Sequence, residues 1–165
     1  DSSARFSCIP LLREQMYLAS RPHTITGAGA VDPLFLTSLR FVASRQPNSL
    51  RRILEDCLAE VNSKPEVVLE ANSVRLLTQA TSEGLGHCVL PYSAVATMVT
   101  QGRLQARPIK KLFVNWALLH VRNVEPTPSI VALINIIIGI ARRARTEGRW
   151  HGVELLMQGM PDLRQ

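Results

Sequence analysis

The sequence predicts an α/β fold, and three observations support this fold class. Short apolar segments alternate along the chain with longer segments whose apolar residues recur at helical spacing. Polar turns and glycines separate the two kinds of segment, as at residues 44–49 and 84–86. With 46% hydrophobic content, the 165 residues can bury a core as one domain or as two small lobes. Alternation of strands and helices is typical of a parallel sheet covered by helices.

The central part of the chain is a predicted strand, a polar turn and a helix. The strand covers residues 39–43 and the turn covers residues 44–49. The helix that follows has a single apolar face, formed by Leu50, Ile53, Leu54, Cys57, Leu58 and Val61. Its unpaired first N–H groups point at whatever lies over the strand end, which makes an anion site available there. The alternative is that Asn48 or Ser49 only caps the helix.

The other elements follow from the same signals of periodicity, caps and breakers. Before the central strand we expect a strand within residues 11–20, a loop, and a short helical turn around Pro33. After the central helix the predicted order is a strand at 67–70, a helix from Val74 to Gly84, a strand at 87–90, a helix at 92–101, a short extended piece at 104–109, a strand at 114–121 and a helix at 130–145. The tail at 146–165 fits one more helix or a mobile segment.

Residues 20–110 are expected to form one right-handed α/β lobe. The ligand crevice of such a sheet lies beyond the carboxyl ends of its strands, and residues 44–49 lie there. The later strand at 114–121 leads out of this lobe and implies a second one.

The helix at 130–145 begins with a segment that is apolar on nearly all sides. Only Asn135 and Gly139 interrupt the apolar residues between Ile130 and Ala141. This stretch is too short to span a bilayer, so protein must cover it. The cover is either a partner chain or a part of that lobe that precedes Asp1. The N-terminal residues resemble neither a signal peptide nor a domain start, and we expect a fragment cut within a domain.

Composition limits the possible partners. A net charge of +6 permits an anionic partner without specifying one. Aromatic residues make up 5% of the chain and do not alternate with basic ones, which argues against stacking on single-stranded nucleic acid. Three cysteines without CxxC spacing suit a reducing cytosol. The four histidines are isolated from one another, so we predict no metal site and no cofactor.

The sequence contains no predicted catalytic group, and we do not expect an enzyme. Cys88 follows His87 directly, but neighbours on a strand point to opposite faces and cannot act as a pair. Gly84 and Gly86 are interpreted as backbone requirements, since a glycine after a helix commonly adopts positive φ. Ser73 has no base near it in sequence and is interpreted as a helix cap.

Three segments, taken in order, resemble the LysR-type transcriptional regulators. They are Leu12-Arg13-Glu14-Gln15-Met16-Tyr17-Leu18, then Phe41-Val42-Ala43 with Pro47-Asn48-Ser49-Leu50-Arg51, and then residues 80–91, with the turn Gly84-Leu85-Gly86 before Leu90-Pro91. The resemblance is to the C-terminal effector-binding domain, covers roughly residues 10–145, and is nearest to the nitrogen assimilation control protein subgroup. It implies a periplasmic-binding-protein-like fold of two α/β lobes with an inducer cleft between them.

The resemblance also implies a division of the chain and a set of partners. The implied parts are a partial first lobe with a crossover strand at 1–20, a complete second lobe (regulatory subdomain II) at 21–112, the return crossover and the C-terminal part of the first lobe at 113–145, and a tail at 146–165. The implied partners are a small-molecule inducer, a second copy of the protein in a dimer or tetramer, and DNA. The DNA would be bound in the cytoplasm by an N-terminal winged helix-turn-helix that this chain lacks.

In similar family members the turn that matches residues 44–49 lies against the inducer. The candidate ligand-binding residues are Pro47, Asn48, Ser49, Ser44, Arg45 and Trp116. We hypothesise that the N–H groups and side chains of Asn48 and Ser49 bind a carboxylate of a small metabolite, while Pro47 fixes the turn. Arg45 either adds charge or is solvated. Trp116 either borders the cleft or is a core residue.

The leading interpretation is an effector-binding regulatory domain of a bacterial LysR-type regulator. The alternative is a periplasmic solute-binding protein of similar fold, whose precursor should begin with a signal peptide. A small α/β enzyme is the third possibility, and it would need a reactive group that the sequence does not show.

Overall fold

The computed structural model describes residues 6–121, 124, 126–148 and 150–156. The chain divides into two compact units. Unit 1 consists of Asp1–Glu14 and Asn115–Gln165, and unit 2 is the continuous segment Gln15–Val114. Two long strands contribute residues to both units, whereas every other element belongs to one unit.

Strands and helices alternate through most of the described chain. The strands are β1 Phe6–Ser20, β2 Arg40–Ala43, β3 Glu66–Glu70, β4 Cys88–Pro91, β5 Gln105–Val121 and β6 Val153–Leu155. The helices are α1 Pro33–Leu36, α2 Ser49–Ala59, α3 Val74–Ser82, α4 Tyr92–Thr100 and α5 Pro128–Thr146. The predicted order of elements up to residue 101 is confirmed.

The sheet arrangement in unit 2 combines parallel and antiparallel pairs. β2 and β3 run parallel, with Phe41 opposite Val67, and Phe41 also forms a parallel bridge with His87. β4 pairs antiparallel with β1, with Met16 opposite Pro91. β1 lies between β4 and β5 in the larger sheet. The predicted parallel pairing is therefore confirmed for β2 and β3.

Unit 2 has two apolar clusters, one that includes residues of α2 and one that includes residues of α3 and α4. Phe41 on β2 and Leu58 on α2 are fully buried, and they belong to one apolar cluster with Ile109 of β5. The face predicted for α2 is confirmed, because Leu54, Cys57 and Leu58 are its buried residues. Burial of a Leu or Phe side chain stabilises a fold by about 1.5–3 kcal/mol, so this cluster fixes α2 on the sheet.

Two glycines near the start of β4 have distinct backbone roles. Gly84 has φ +85°, which confirms the predicted left-handed residue after α3. Gly86 lies so close to β2 that an added Cβ would be 2.9 Å from the carbonyl oxygen of Arg40. Gly86 is therefore needed for close approach of two backbones rather than for positive φ.

Unit 1 contains the apolar helix and a short strand. β6 pairs antiparallel with the first part of β1, with Leu12 opposite Leu155, and Arg13 forms a 2.7 Å ion pair with Glu154. α5 buries Ile134 and Ala141. The apolar side chains that it leaves exposed are Ile130, Leu133, Ile136, Ile137 and Ile140. Within the described ranges, none of the helices combines the length and the apolar character needed to cross a membrane.

Two predictions about the C-terminal third of the chain were wrong. Residues 104–109 and 114–121 are not separate pieces but parts of the single strand β5, which has a positive φ of 57° at Lys111. The tail at 146–165, predicted to be a helix or a mobile segment, contains the strand β6 at Val153–Leu155. Both errors concern pairing with β1, a partner about 100 or more residues earlier that local patterns do not reveal.

Candidate functional site

The turn that follows β2 is fixed by the N-terminal cap of α2. Asn48 is the cap residue, with an extended backbone, and its side-chain oxygen accepts a hydrogen bond of 2.9 Å from the N–H of Leu50. The Arg52 N–H donates to the Asn48 carbonyl at 3.0 Å. The capping interpretation of Asn48 is confirmed, and this cap also holds the first turn of α2 beside the turn residues.

A cavity of about 390 Å³ opens at the N-terminal end of α2. The residues that line it are Gln46, Pro47, Asn48, Ser49, Arg52 and Glu55. All six lie within unit 2, on the turn and the first seven residues of the helix. The volume falls within the range of cavities that hold small molecules in proteins.

Glu55 forms a wall of this cavity and is held by two neighbours. The Gln46 amide donates to both carboxylate oxygens of Glu55, at 2.8 and 2.9 Å. The Arg51 guanidinium donates to the same carboxylate at 2.7 Å. These three bonds fix the Gln46 side chain against the helix and leave the Glu55 charge largely compensated.

Arg51 connects the turn to the neighbouring strand β3. Its side chain is 11% exposed, and a second guanidinium nitrogen donates to Glu70 at 2.8 Å and to the Ser44 carbonyl at 3.3 Å. Helix, strand and turn thus share one charged network in which Arg51 serves two carboxylates and one carbonyl. The network holds the wall of the cavity in one geometry.

Arg52 differs from Arg51 although the two are adjacent. Its side chain is exposed, and among the residues that the structure describes it forms no ion pair. Arg52 lines the cavity, whereas Arg45 does not. Arg45 is exposed, and its backbone N–H donates to the Asn72 side chain at 3.0 Å.

The structure brings together half of the six predicted ligand-binding residues. Pro47, Asn48 and Ser49 line the cavity. Ser44 is buried beside it and offers its carbonyl to Arg51 rather than to the cavity. Whether any of these residues binds a ligand stays a prediction.

Trp116 belongs to unit 1 and is not a core residue. Its side chain is 46% exposed, and the indole N–H donates to Glu14 at 3.3 Å. The interpretation of Trp116 as a core aromatic is therefore wrong, because nearly half of its surface is exposed. Its predicted ligand role is unaffected by this finding and stays a prediction.

Sequence reasoning missed three cavity residues, namely Gln46, Arg52 and Glu55. Glu55 is not among the residues of the apolar face of α2, and only the pairing of Arg51 with Glu70 on β3 gives the polar face a role. The sequence did carry one signal, because two arginines at the start of a helix oppose its dipole.

Buried Cys88, the first residue of β4, and the half-buried His87 before it do not form a reactive pair. Burial raises the pKa of the Cys88 thiol to about 11, so the thiol is protonated near neutral pH. Burial lowers the pKa of His87 below its ordinary value, and the buried Nδ1 of His87 has no hydrogen-bond partner. Throughout the described ranges, no three His, Cys, Asp or Glu side chains are grouped as they would be to hold a metal ion.

Comparison with known proteins places the chain in a family. The LysR substrate binding domain family matches residues 1–140. The chain is 28% identical over 155 residues to the HTH-type transcriptional regulator BbuR of Bordetella bronchiseptica, covering 92% of this chain and 48% of that protein. It therefore spans about half the length of this curated relative.

Solved structures show the same fold at low identity. The effector binding domain of QuiR in complex with shikimate has a TM-score of 0.70 at 12% identity, covering 87% of this chain and 68% of that one. The regulatory domain of CcmR from Synechocystis PCC6803 in complex with 2-PG has a TM-score of 0.72 at 15% identity, covering 82% and 67%. The regulatory domain of MetR from N. meningitidis has a TM-score of 0.67 at 18% identity, covering 93% and 72%.

The predicted fold class, an α/β periplasmic-binding-protein-like fold of two lobes, is confirmed by these similarities. The narrower likeness to the nitrogen assimilation control protein subgroup stays a prediction. Because the family matches 140 residues of a chain of 165, this chain belongs to the LysR substrate binding domain family.

Proposed function

We propose that the chain is the effector-binding regulatory domain of a bacterial LysR-type transcriptional regulator and that it senses a small anionic metabolite. The observation that carries this proposal is the cavity at the N-terminal end of α2, in a chain of this family. The QuiR domain is in complex with shikimate and the CcmR domain with 2-PG, which supports a small-molecule effector.

The first turn of α2 is the proposed anion-binding element. The positive end of the helix dipole and the unpaired N–H groups favour an anion there. The cap already uses the Leu50 N–H, so we assign the ligand to the N–H groups and side chains of Asn48 and Ser49. Pro47 would keep the turn in place, because its ring fixes φ.

We propose that unit 2 corresponds to the second lobe of the fold and that unit 1 is a part of the first lobe. The exposed apolar residues of α5 support a covered position for unit 1 in the native protein, which fits a dimer or tetramer. Effector binding would act on DNA by favouring one of two arrangements of the assembly. A winged helix-turn-helix outside this chain would bind the DNA, in the cytoplasm, and the chain itself would catalyse no reaction.

Replacement of Asn48 tests the site. We would measure the affinity of the full-length protein for its effector, identified by thermal shift from a panel of small organic acids, for the native protein and for Asn48→Leu. The expected result is a loss of affinity that exceeds the loss of stability. Asp32→Leu is the control for loss of a helix cap outside the cavity, since the Asp32 carboxylate accepts a 3.2 Å hydrogen bond from the Leu34 N–H of α1. This control also loses the exposed ion pair between Asp32 and Lys110. Unchanged affinity in Asn48→Leu refutes the site.

The intact mass and the N-terminal sequence of the native gene product test the regulator proposal. An extension that carries a winged helix-turn-helix and a linker helix supports it. A processed signal peptide without a DNA-binding unit would instead make the protein a periplasmic solute-binding protein of the same fold.

A further inference from the structure

Two arginines occupy the end of α2 where a helix tolerates cations least. Arg51 and Arg52 are the third and fourth residues of α2, a helix that the structure describes in full and that has no acidic residue in its first turn. The first turn carries the positive end of the helix dipole, which favours anions and disfavours cations. A negative charge close to either guanidinium would offset this unfavourable contact.

Arg51 obtains that compensation within the protein. It binds Glu55 at 2.7 Å and Glu70 at 2.8 Å. Its guanidinium is nearly buried, so these bonds are well shielded from solvent. Arg51 is thus a structural residue that the fold accounts for completely.

Arg52 obtains no such compensation from the described part of the chain. Its side chain lines the cavity, and the carboxylate on the same wall, Glu55, already accepts three hydrogen bonds from Gln46 and Arg51. The cavity consequently contains one compensated carboxylate, one uncompensated guanidinium and the positive end of a helix. Local rules of charge placement are most often broken in this way at functional sites.

We infer that Arg52 is the residue that recognises the charge of the ligand, and that the ligand's carboxylate or phosphate lies between the Arg52 guanidinium and the first turn of α2. This inference rests on the proposed function of the cavity. It also replaces Arg45, the arginine that the sequence suggested, because Arg45 does not line the cavity.

The experiment uses the full-length protein and two small probes, inorganic phosphate and acetate, with chloride at equal ionic strength as the reference. Thermal unfolding and titration calorimetry are recorded for the native protein, Arg52→Gln and Arg45→Gln. Both substitutions remove one exposed arginine near the same turn, so long-range electrostatics change by a similar amount. We expect Arg52→Gln to weaken binding of the probes about tenfold or more, and Arg45→Gln to leave it nearly unchanged.

The two probes separate the two chemistries when both are monoanions, at mildly acidic pH. A preference for phosphate over acetate under that condition indicates a phosphate-bearing ligand. Arg52→Gln should also unfold at a slightly higher temperature than the native protein in low-salt chloride, because the unfavourable contact with the helix dipole is removed.

Equal weakening in Arg52→Gln and Arg45→Gln overturns the inference, as does the absence of any specific probe effect on the native protein. Asn48→Leu distinguishes the inference from the proposed function. If Asn48→Leu loses the probe while Arg52→Gln keeps it, the cavity binds anions but Arg52 does not recognise them. If both variants keep the probe, the proposed site itself is wrong.

Discussion

Replacing Gly86 by Ala should destabilise unit 2 because β2 and β4 approach each other closely at this residue. The added Cβ would lie 2.9 Å from the carbonyl oxygen of Arg40 and 3.3 Å from the carbonyl carbon of Phe41. The Arg40 oxygen also accepts the His87 N–H at 2.8 Å. The third close contact is the Val42 side chain at 3.3 Å, but the shortest is with the backbone of β2, which cannot move away as the end of a flexible side chain can. The two segments themselves must therefore separate by a few tenths of an ångström.

The cost combines overpacking with weakened hydrogen bonds. Overpacking costs about 1–3 kcal/mol, and each of the two bonds beside Gly86 contributes about 0.5–1.5 kcal/mol, of which part is lost. The two bonds are His87 N–H to Arg40 O and Val42 N–H to His87 O, both 2.8 Å. We therefore expect Gly86→Ala to lower the free energy of unfolding by about 2–4 kcal/mol.

Gly139→Ala is the matched control. It adds the same methyl group, but its expected effect on stability has the opposite sign. Gly139 is in the middle of α5, and in the described part of the chain no atom other than the adjacent helix backbone lies within 4 Å of a Cβ there. Alanine in a helix interior is favoured over glycine by about 0.5–1 kcal/mol, so this variant should be slightly more stable.

Urea unfolding followed by far-UV circular dichroism measures both variants. Tryptophan fluorescence does not suffice, because Trp116 and Trp150 are both in unit 1 while Gly86 is in unit 2. A change of less than about 0.5 kcal/mol in Gly86→Ala, the range of neutral surface substitutions, would refute the reasoning about backbone approach.

Three further predictions concern buried and charged groups. Arg51→Met should lower the free energy of unfolding in urea by about 1–2 kcal/mol, since two partly exposed carboxylates lose their cationic partner. An unchanged free energy of unfolding would show that the network does not stabilise the fold. A thiol reagent at mildly alkaline pH should modify exposed Cys8 rapidly, but Cys57 and Cys88 only on unfolding, because burial raises both of their pKa values to about 11. The lowered pKa of His87 means that the unfolded state takes up its proton first as pH falls. Its stability contribution is present above its unfolded pKa and is lost at lower pH, so His87→Gln should flatten the loss of stability near pH 6, measured by thermal unfolding.

The local elements could be predicted from sequence because their signals are local. Asn48 indicates the start of a helix because its side chain can accept a hydrogen bond from the N–H two residues later. Gly84 indicates the end of a helix because glycine readily adopts positive φ. β5 was divided in error, since Lys110 and Lys111 interrupt the apolar pattern that continues on both sides. Pairing with β1 and a bridge to Val31, both far away in sequence, keep that segment extended.

The position of the candidate site could be predicted from the sequence, but the full set of residues that line it could not. The turn after β2 was found because strand ends in α/β sheets are where ligands bind. Arg52 and Glu55 were missed because their roles depend on Arg51, which turns away from solvent to reach Glu70 on β3. A pairing between a helix and a neighbouring strand leaves no periodic trace in the sequence.

The chain enters unit 2 on β1 and leaves it on β5, and these two strands are neighbours in the sheet. Unit 2 is therefore a continuous insertion between the two segments of unit 1. It is one unbroken segment, Gln15–Val114, and its ends meet, since the Gln15 amide donates to the Leu112 carbonyl at 2.8 Å. A short linker could join the two ends at little entropic cost. New termini could then open in the turn between α2 and β3, giving a circularly permuted form of unit 2 that can be inserted into an unrelated host protein.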